Sequence, residues 1–157
     1  MPSYRNQALI LLLTCFLSAP LLSQNLVPNG SFEEVINCPE FLGALHTDCA
    51  NWFSSVIIPG LPQNEYPSPD CYHPCSPQNS LTPPETILGF VEPIDGVALA
   101  GLLTSWENDA NYKEQIGVQL ESPMATGSTY VLRFSLFHTN VQNHEYSSNN
   151  VGVRFTT

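Results

Sequence analysis

Residues 129–138 read TYVLRFSLFH, and the fold class turns on this run. Tyr130, Leu132, Phe134 and Leu136 alternate with Val131, Arg133, Ser135 and Phe137. A period of two belongs to a strand whose successive side chains point to opposite faces, and aromatic and β-branched residues favour that state. Upstream, the turn signal MATGS (124–128) separates it from EQIGVQLE (114–121). There Ile116, Val118 and Leu120 point inward, and Gln115, Gly117, Gln119 and Glu121 point out, as in a half-exposed strand.

The same reading extends in both directions. In DGVALAGLLTSW (95–106), Val97, Leu99, Gly101 and Leu103 share one face and Ala98, Ala100 and Leu102 the other. With both faces apolar, a central strand is expected. Downstream, a polar loop (140–150) leads to VGVRFT, where Val151, Val153 and Phe155 alternate with Gly152 and Arg154. A last strand left open at a sheet edge is an aggregation template, so the domain is expected to be truncated at its C-terminal end, with a further domain missing from this chain.

Residues 58–94 have another character. Nine prolines fall from Pro59 to Pro93. Proline fixes φ and removes a ladder donor, which predicts a long loop insertion rather than a regular sheet or a helix. Cys71 and Cys75 inside it predict that the loop is tethered by disulfides. The expected architecture is therefore all-β, an antiparallel β-sandwich or jelly roll in one domain over residues 24–157, interrupted by this proline-rich insertion.

Residues 1–23 read as a secretory signal. Arg5 supplies the positive end, and Ala8 to Leu13 with Phe16 and Leu17 the apolar core. The apolar run is too short to span a bilayer, which needs roughly 20 residues, so no membrane insertion is expected once the signal is cut before Gln24. Leu12, Leu13 and Thr14 lack the small residues expected before a lipidated Cys15. Cleavage leaves Cys38, Cys49, Cys71 and Cys75, an even set suited to two disulfides in an oxidising compartment. Zinc is the competing reading, with His73 inside CYHPC, but paired CxxC ligands are absent. All 14 acidic residues lie beyond the signal, against Lys113, Arg133 and Arg154. That balance argues against nucleic acid and anionic membranes as partners, since phosphate binding needs clustered cations.

No catalytic constellation stands out. No Gly-x-Ser-x-Gly elbow is present, and His144-Glu145 fails as a zincin start because Ser148 stands where a second histidine is needed. Glu107, Asp109, Glu114 and Glu121 are carboxylates of the kind a glycosidase pairs at about 5 to 9.5 Å, but any acidic chain offers such residues. Binding is the better expectation. Sugar rings stack on exposed aromatics while amides and carboxylates take their hydroxyls. Trp52, Phe53, Tyr66, Tyr72, Trp106, Tyr112, Phe137 and Tyr146 are the candidates. Trp52, opening ANWFSSV, is read as core. Trp106, Tyr112 and Phe137 are taken as the ligand-binding set.

NLVPNGSFEE (25–34), NCP, NWF, PDCYHPC, GFVEPIDGVALAGL, NYKEQIGVQLESPMATGSTYVLRFSLF and NNVGVRF follow one another over nearly all of the mature chain. In that order they resemble a family of secreted and surface domains of gliding, type IX-secreting bacteria, typically found ahead of an OmpA-like or sorting domain. NLVPNGSFE and GSTYVLRFSLF also look like the first and a central strand of galactose-binding-like, carbohydrate-binding jelly rolls. The resemblance implies that Leu26, Val27 and Phe32 enter the core from an opening strand and that Pro28, Asn29 and Gly30 bend the chain. It implies a calcium ion near the first strand, held by Glu33 and Glu34 with backbone carbonyls; no other cofactor is expected. Where the family reads PDYFN and one cysteine, this chain has Asp70 followed by CYHPC. Cys75 takes the family position, which implies Cys38 to Cys75 and Cys49 to Cys71. Adjacency in sequence gives Cys38 to Cys49 and Cys71 to Cys75 instead.

The resulting expectation is a non-catalytic, exported, carbohydrate-binding-like module, secreted or held at the cell surface or the periplasmic side of the outer membrane. The alternative is a structural or adhesive module that binds a surface protein partner and no sugar.

Overall fold

The computed structural model describes residues 24–54, 69–104, 113–138 and 151–156. The signal segment thus lies outside the described residues, as do Trp106 and Tyr112. Among the described residues the chain is built from short strands with a single helical turn. In order they are α1 (Leu45–Asp48), β1 (Trp52–Ser54), β2 (Asp70–Tyr72), β3 (Leu81–Thr82), β4 (Glu85–Thr86), β5 (Gly89–Phe90), β6 (Leu99–Gly101) and β7 (Ile116–Val118). All pairings are antiparallel: β1 with β7, β2 with β6, and the small meander β3-β4-β5.

The core forms where the chain is cross-linked. Leu45, Cys49 and Cys71 are fully buried, and Phe32, Val35, Trp52, Ala100 and Ile116 pack against them. Cys49 is bonded to Cys71, and Cys38 to Cys75, the pairing that the resemblance implies. The first bond is buried and the second lies at the surface. Two such bonds belong to an oxidising, extracellular-type environment. Among the described residues no helix is long and apolar enough to cross a membrane.

Three expectations need correction. The proline-rich stretch is not a loop hung on the domain, because it carries β2 to β5 and the buried Cys71, Tyr72 and Leu81. Its prolines sit beside the ladders instead of within them. Pro69 precedes β2, Pro74 follows it, and Pro83-Pro84 forms the connection between β3 and β4, so no ladder donor is lost.

Second, residues 129–138 and 151–156 form no strand, and their side chains are exposed. The alternation reports two faces of unlike chemistry, whereas a strand also needs a neighbour for its backbone. The turn before residues 129–138 is present, with the Ser128 N–H donating to the Ala125 carbonyl at 3.2 Å. Third, the opening stretch 25–34 is a turn and not a strand, and DGVALAGLLTSW contributes only the three residues of β6, paired with β2 alone. β7 follows expectation more closely: Ile116 and Val118 are half-buried while Gln115 and Gln119 are exposed. Trp52 opens β1 and packs on the core.

One buried polar pair lies next to the cross-link. The Asp70 carboxylate accepts the Gly43 N–H at 2.5 Å and the Tyr72 hydroxyl at 3.0 Å. Burial pushes the Asp70 carboxyl above its ordinary value against the pull of these two bonds. Burial, followed by the Asp70 charge, also raises the Tyr72 hydroxyl. Asp48, buried behind α1, is raised by desolvation as well.

A non-reducing peptide map is expected to show Cys38 linked to Cys75 and Cys49 linked to Cys71; a Cys71 to Cys75 peptide would contradict the fold. The raised carboxyl gives a signed pH dependence. Between the unfolded value of about 4 and its higher folded value, Asp70 holds more proton in the folded state. Its contribution to stability is therefore complete below that window and is lost as pH rises through it. Asp70→Asn removes this term, so the stability of the parent relative to Asp70→Asn should fall with rising pH in urea titrations. A difference that is flat, or that rises with pH, refutes the assignment.

Candidate functional site

The site is organised by a turn whose side chain does the work of a strand. Asn29 sits at a left-handed φ of 46°, a conformation that asparagine tolerates better than most residues. From there its amide nitrogen donates to the Glu34 and Ala50 carbonyls, each at 2.8 Å, and its amide oxygen accepts the Glu34 N–H at 2.9 Å. Its backbone carbonyl receives the Trp52 indole N–H at 2.8 Å. The Ala50 N–H in turn donates to the Glu34 carbonyl at 2.8 Å, and Val35 bridges Cys49. One asparagine thus fixes the first turn, the approach to β1 and the core tryptophan together.

This arrangement opens a cleft of about 530 Å³ between the turn and the two strand ends. Pro28, Asn29 and Glu34 form one wall, Asn51 the next, and Gln119, Leu120 and Glu121 the far side. Asn51 is also left-handed, with φ 70°, immediately before β1. The far wall is joined back to the first segment by the Glu121 N–H donating to the Leu26 carbonyl at 2.9 Å. The lining is dominated by amides and carboxylates and contains no lysine, arginine or histidine. Such groups accept from and donate to hydroxyls.

The two carboxylates expected to share a calcium ion are used differently. The Glu33 carboxylate accepts the Val97 and Ala98 N–H groups at 2.6 and 2.8 Å. Gly96 beside it has φ 70°, and a Cβ there would overlap the Glu33 carboxylate. Glu33 therefore ties the first turn to the approach to β6, and of the pair only Glu34 lines the cleft. Among the described residues no group of three or more His, Cys, Asp or Glu is arranged to hold a metal ion.

Of the expected ligand-binding aromatics, Phe137 is exposed in the unpaired stretch and is not part of the cleft; Trp106 and Tyr112 lie outside the described residues. The aromatic that stands beside the cleft is Phe53. On β1, Trp52 packs on the core and stacks at 4.8 Å on Phe32, so Phe53 projects to the opposite face, where it is 47% exposed. It pairs in register with Gly117 of β7. Among the expected acidic candidates, Glu114 accepts the Leu103 N–H at 2.7 Å, Glu121 lines the cleft, and Glu107 and Asp109 lie outside the described residues.

The residues missed by sequence reasoning are Asn51 and Gln119, together with the return of Asn29 and Glu34 to the site. Asn51 carried no local signal, because its left-handed φ follows from the chain reversal between Cys49 and β1. Gln119 was legible only as an outward position. Comparison with family models, with curated proteins and with solved structures finds no match to this chain.

Replacing Asn29 tests the organising role. Asn29→Ala removes three side-chain hydrogen bonds at a left-handed position, for an expected loss of about 2 to 4 kcal/mol in urea unfolding. Asn29→Gly restores the backbone freedom but not the bonds and should recover about 1 kcal/mol of that loss. Equal stability of parent and both variants would show that the turn is held by other contacts.

Proposed function

We propose that this chain is a non-catalytic, exported, carbohydrate-binding-like β-module that works at the cell envelope or outside the cell. The observation that carries the reading is the open cleft, where Asn51, Gln119, Glu34 and Glu121 present amides and carboxylates to solvent with an exposed aromatic beside them. That is the chemistry of a saccharide site, in which edges rich in hydroxyls meet polar side chains and a ring face meets an aromatic. The antiparallel strands are consistent with a jelly-roll sandwich of the galactose-binding-like kind, and the cross-linked core supports a location outside the reducing cytosol. The resemblance to domains of gliding, type IX-secreting bacteria supports the envelope or the exterior as its place of action.

A second reading has its own observation. The exposed alternating runs 129–138 and 151–156 suit a structural or adhesive module that adds a protein partner by strand pairing. A glycosidase would use Glu34 and Glu121 across the cleft, but both are exposed, and a general acid needs the apolar burial that raises a carboxyl.

A glycan array probed with the mature chain separates these readings. Binding to a defined set of saccharides, reduced at least tenfold in Asn51→Ala with Gln119→Ala, is expected. Absence of binding across neutral, amino and acidic glycans would overturn the saccharide reading in favour of a protein partner. Release of new reducing ends from a bound glycan, lost in Glu121→Gln, would make the module an enzyme.

A further inference from the structure

Resting on the saccharide reading, we infer that the cleft selects amino-bearing pyranosides over their N-acetylated forms and rejects acidic ones, with Phe53 as the stacking platform. The platform follows from the β1/β7 register. Phe53 faces Gly117, and a Cβ at position 117 would approach the Phe53 ring to 2.5 Å. Only glycine lets the ring lie over the neighbouring strand, with its other side open to solvent. Gln119 follows Gly117 by two residues and so stands on the same side of β7, where it lines the cleft. Two strand residues span about 6.8 Å, which suits one pyranose ring on Phe53 with its hydroxyls turned toward Gln119 and Asn51.

Charge supplies the selection. Glu34 and Glu121 both line the cleft, and no cationic side chain does. The chain as a whole carries a net charge of −10, so its field opposes the approach of an anionic ligand at any orientation. A free ammonium on the sugar gains from the two carboxylates. An acetamido group offers them one N–H and no charge, and a uronate is repelled.

The test uses the mature, disulfide-intact chain and titration calorimetry with three probes: chitosan oligomers, the same oligomers fully N-acetylated, and oligogalacturonate, at a pH that keeps the amines protonated. The deacetylated oligomer is expected to bind about five- to tenfold more tightly than the acetylated one, and oligogalacturonate not to bind. Raising the salt concentration should shrink the preference. Glu34→Gln with Glu121→Gln should equalise the first two probes while preserving binding of the acetylated oligomer. Phe53→Ala should weaken both by tenfold or more, and Phe53→Trp should restore them, which separates lost stacking from lost folding.

Equal affinities for the two chitin-type probes in the parent would overturn the inference, as would uronate binding, a preference that survives the double glutamine variant, or full binding by Phe53→Ala. In each of those cases the saccharide reading itself stands, because a glycan is bound. Failure of all three probes together with a silent glycan array overturns both; failure of the three probes with a positive array overturns the inference alone.

Discussion

Everything in the described structure hangs on the side-chain amide of Asn29. A turn that contributes no strand has to find partners for its backbone, and a buried or half-buried carbonyl left without a donor is costly. Asn29 supplies two donors and one acceptor to Glu34 and Ala50, and its carbonyl holds the Trp52 indole. Because Trp52 is also the first residue of β1, the orientation of that strand follows from the same residue. Inward placement of Trp52 then sends Phe53 outward, by the two-residue alternation of a strand. The cleft and its aromatic neighbour are thus a geometric consequence of how one turn is satisfied.

The remaining stability comes from cross-linking as much as from burial. The strands are two or three residues long, and ladders this short bring few backbone bonds and little buried apolar area. The two disulfides close loops with sequence separations of 37 and 22, each worth about 3 to 4 kcal/mol by the loss of freedom in the unfolded chain. Cys49 and Cys71 lie at the centre of the core, so the bond that restricts the unfolded chain also supplies packing in the folded one. Glu33 adds a third long-range tie, from the first turn to residues 97 and 98. Such ties let a chain rich in proline hold a defined shape without long strands.

The sequence made some of this legible and obscured the rest, for physical reasons. Trp52 was readable as core because it opens an apolar run, and the outward set on β7 because Ile116 and Val118 alternate with polar neighbours. The β-rich class was readable from the same period of two. Pairing was not: TYVLRFSLFH has the strongest alternation in the chain and no strand partner among the described residues, since alternation is local and pairing is not. The proline-rich stretch failed in the opposite sense. Proline counts argued against a sheet, but the ladders of β2 to β5 are so short that their prolines fall at the ends, where no donor is required. Glu33 and Glu34 looked like one ligand pair because they are adjacent in sequence. Gly96, 63 positions along in the numbering, is what draws Glu33 away.

The two faces of the β1/β7 ladder show how such a small framework can carry a site. On one face Trp52 is held by the Asn29 carbonyl, by Phe32 and by the cross-linked core, and this makes the ladder rigid. On the other face the same register sets Phe53 over a glycine and leaves Gln119 and Asn51 exposed at the strand ends. A binding surface needs side chains held in place with their polar ends free. Here the backbone is fixed by contacts that face away from the cleft. Substitutions at Asn51, Gln119 or Glu121 therefore change what the surface presents without touching the residues that hold it, whereas a change at Asn29 alters both. Recognition and stability are separable at every position of the cleft except the one that built it.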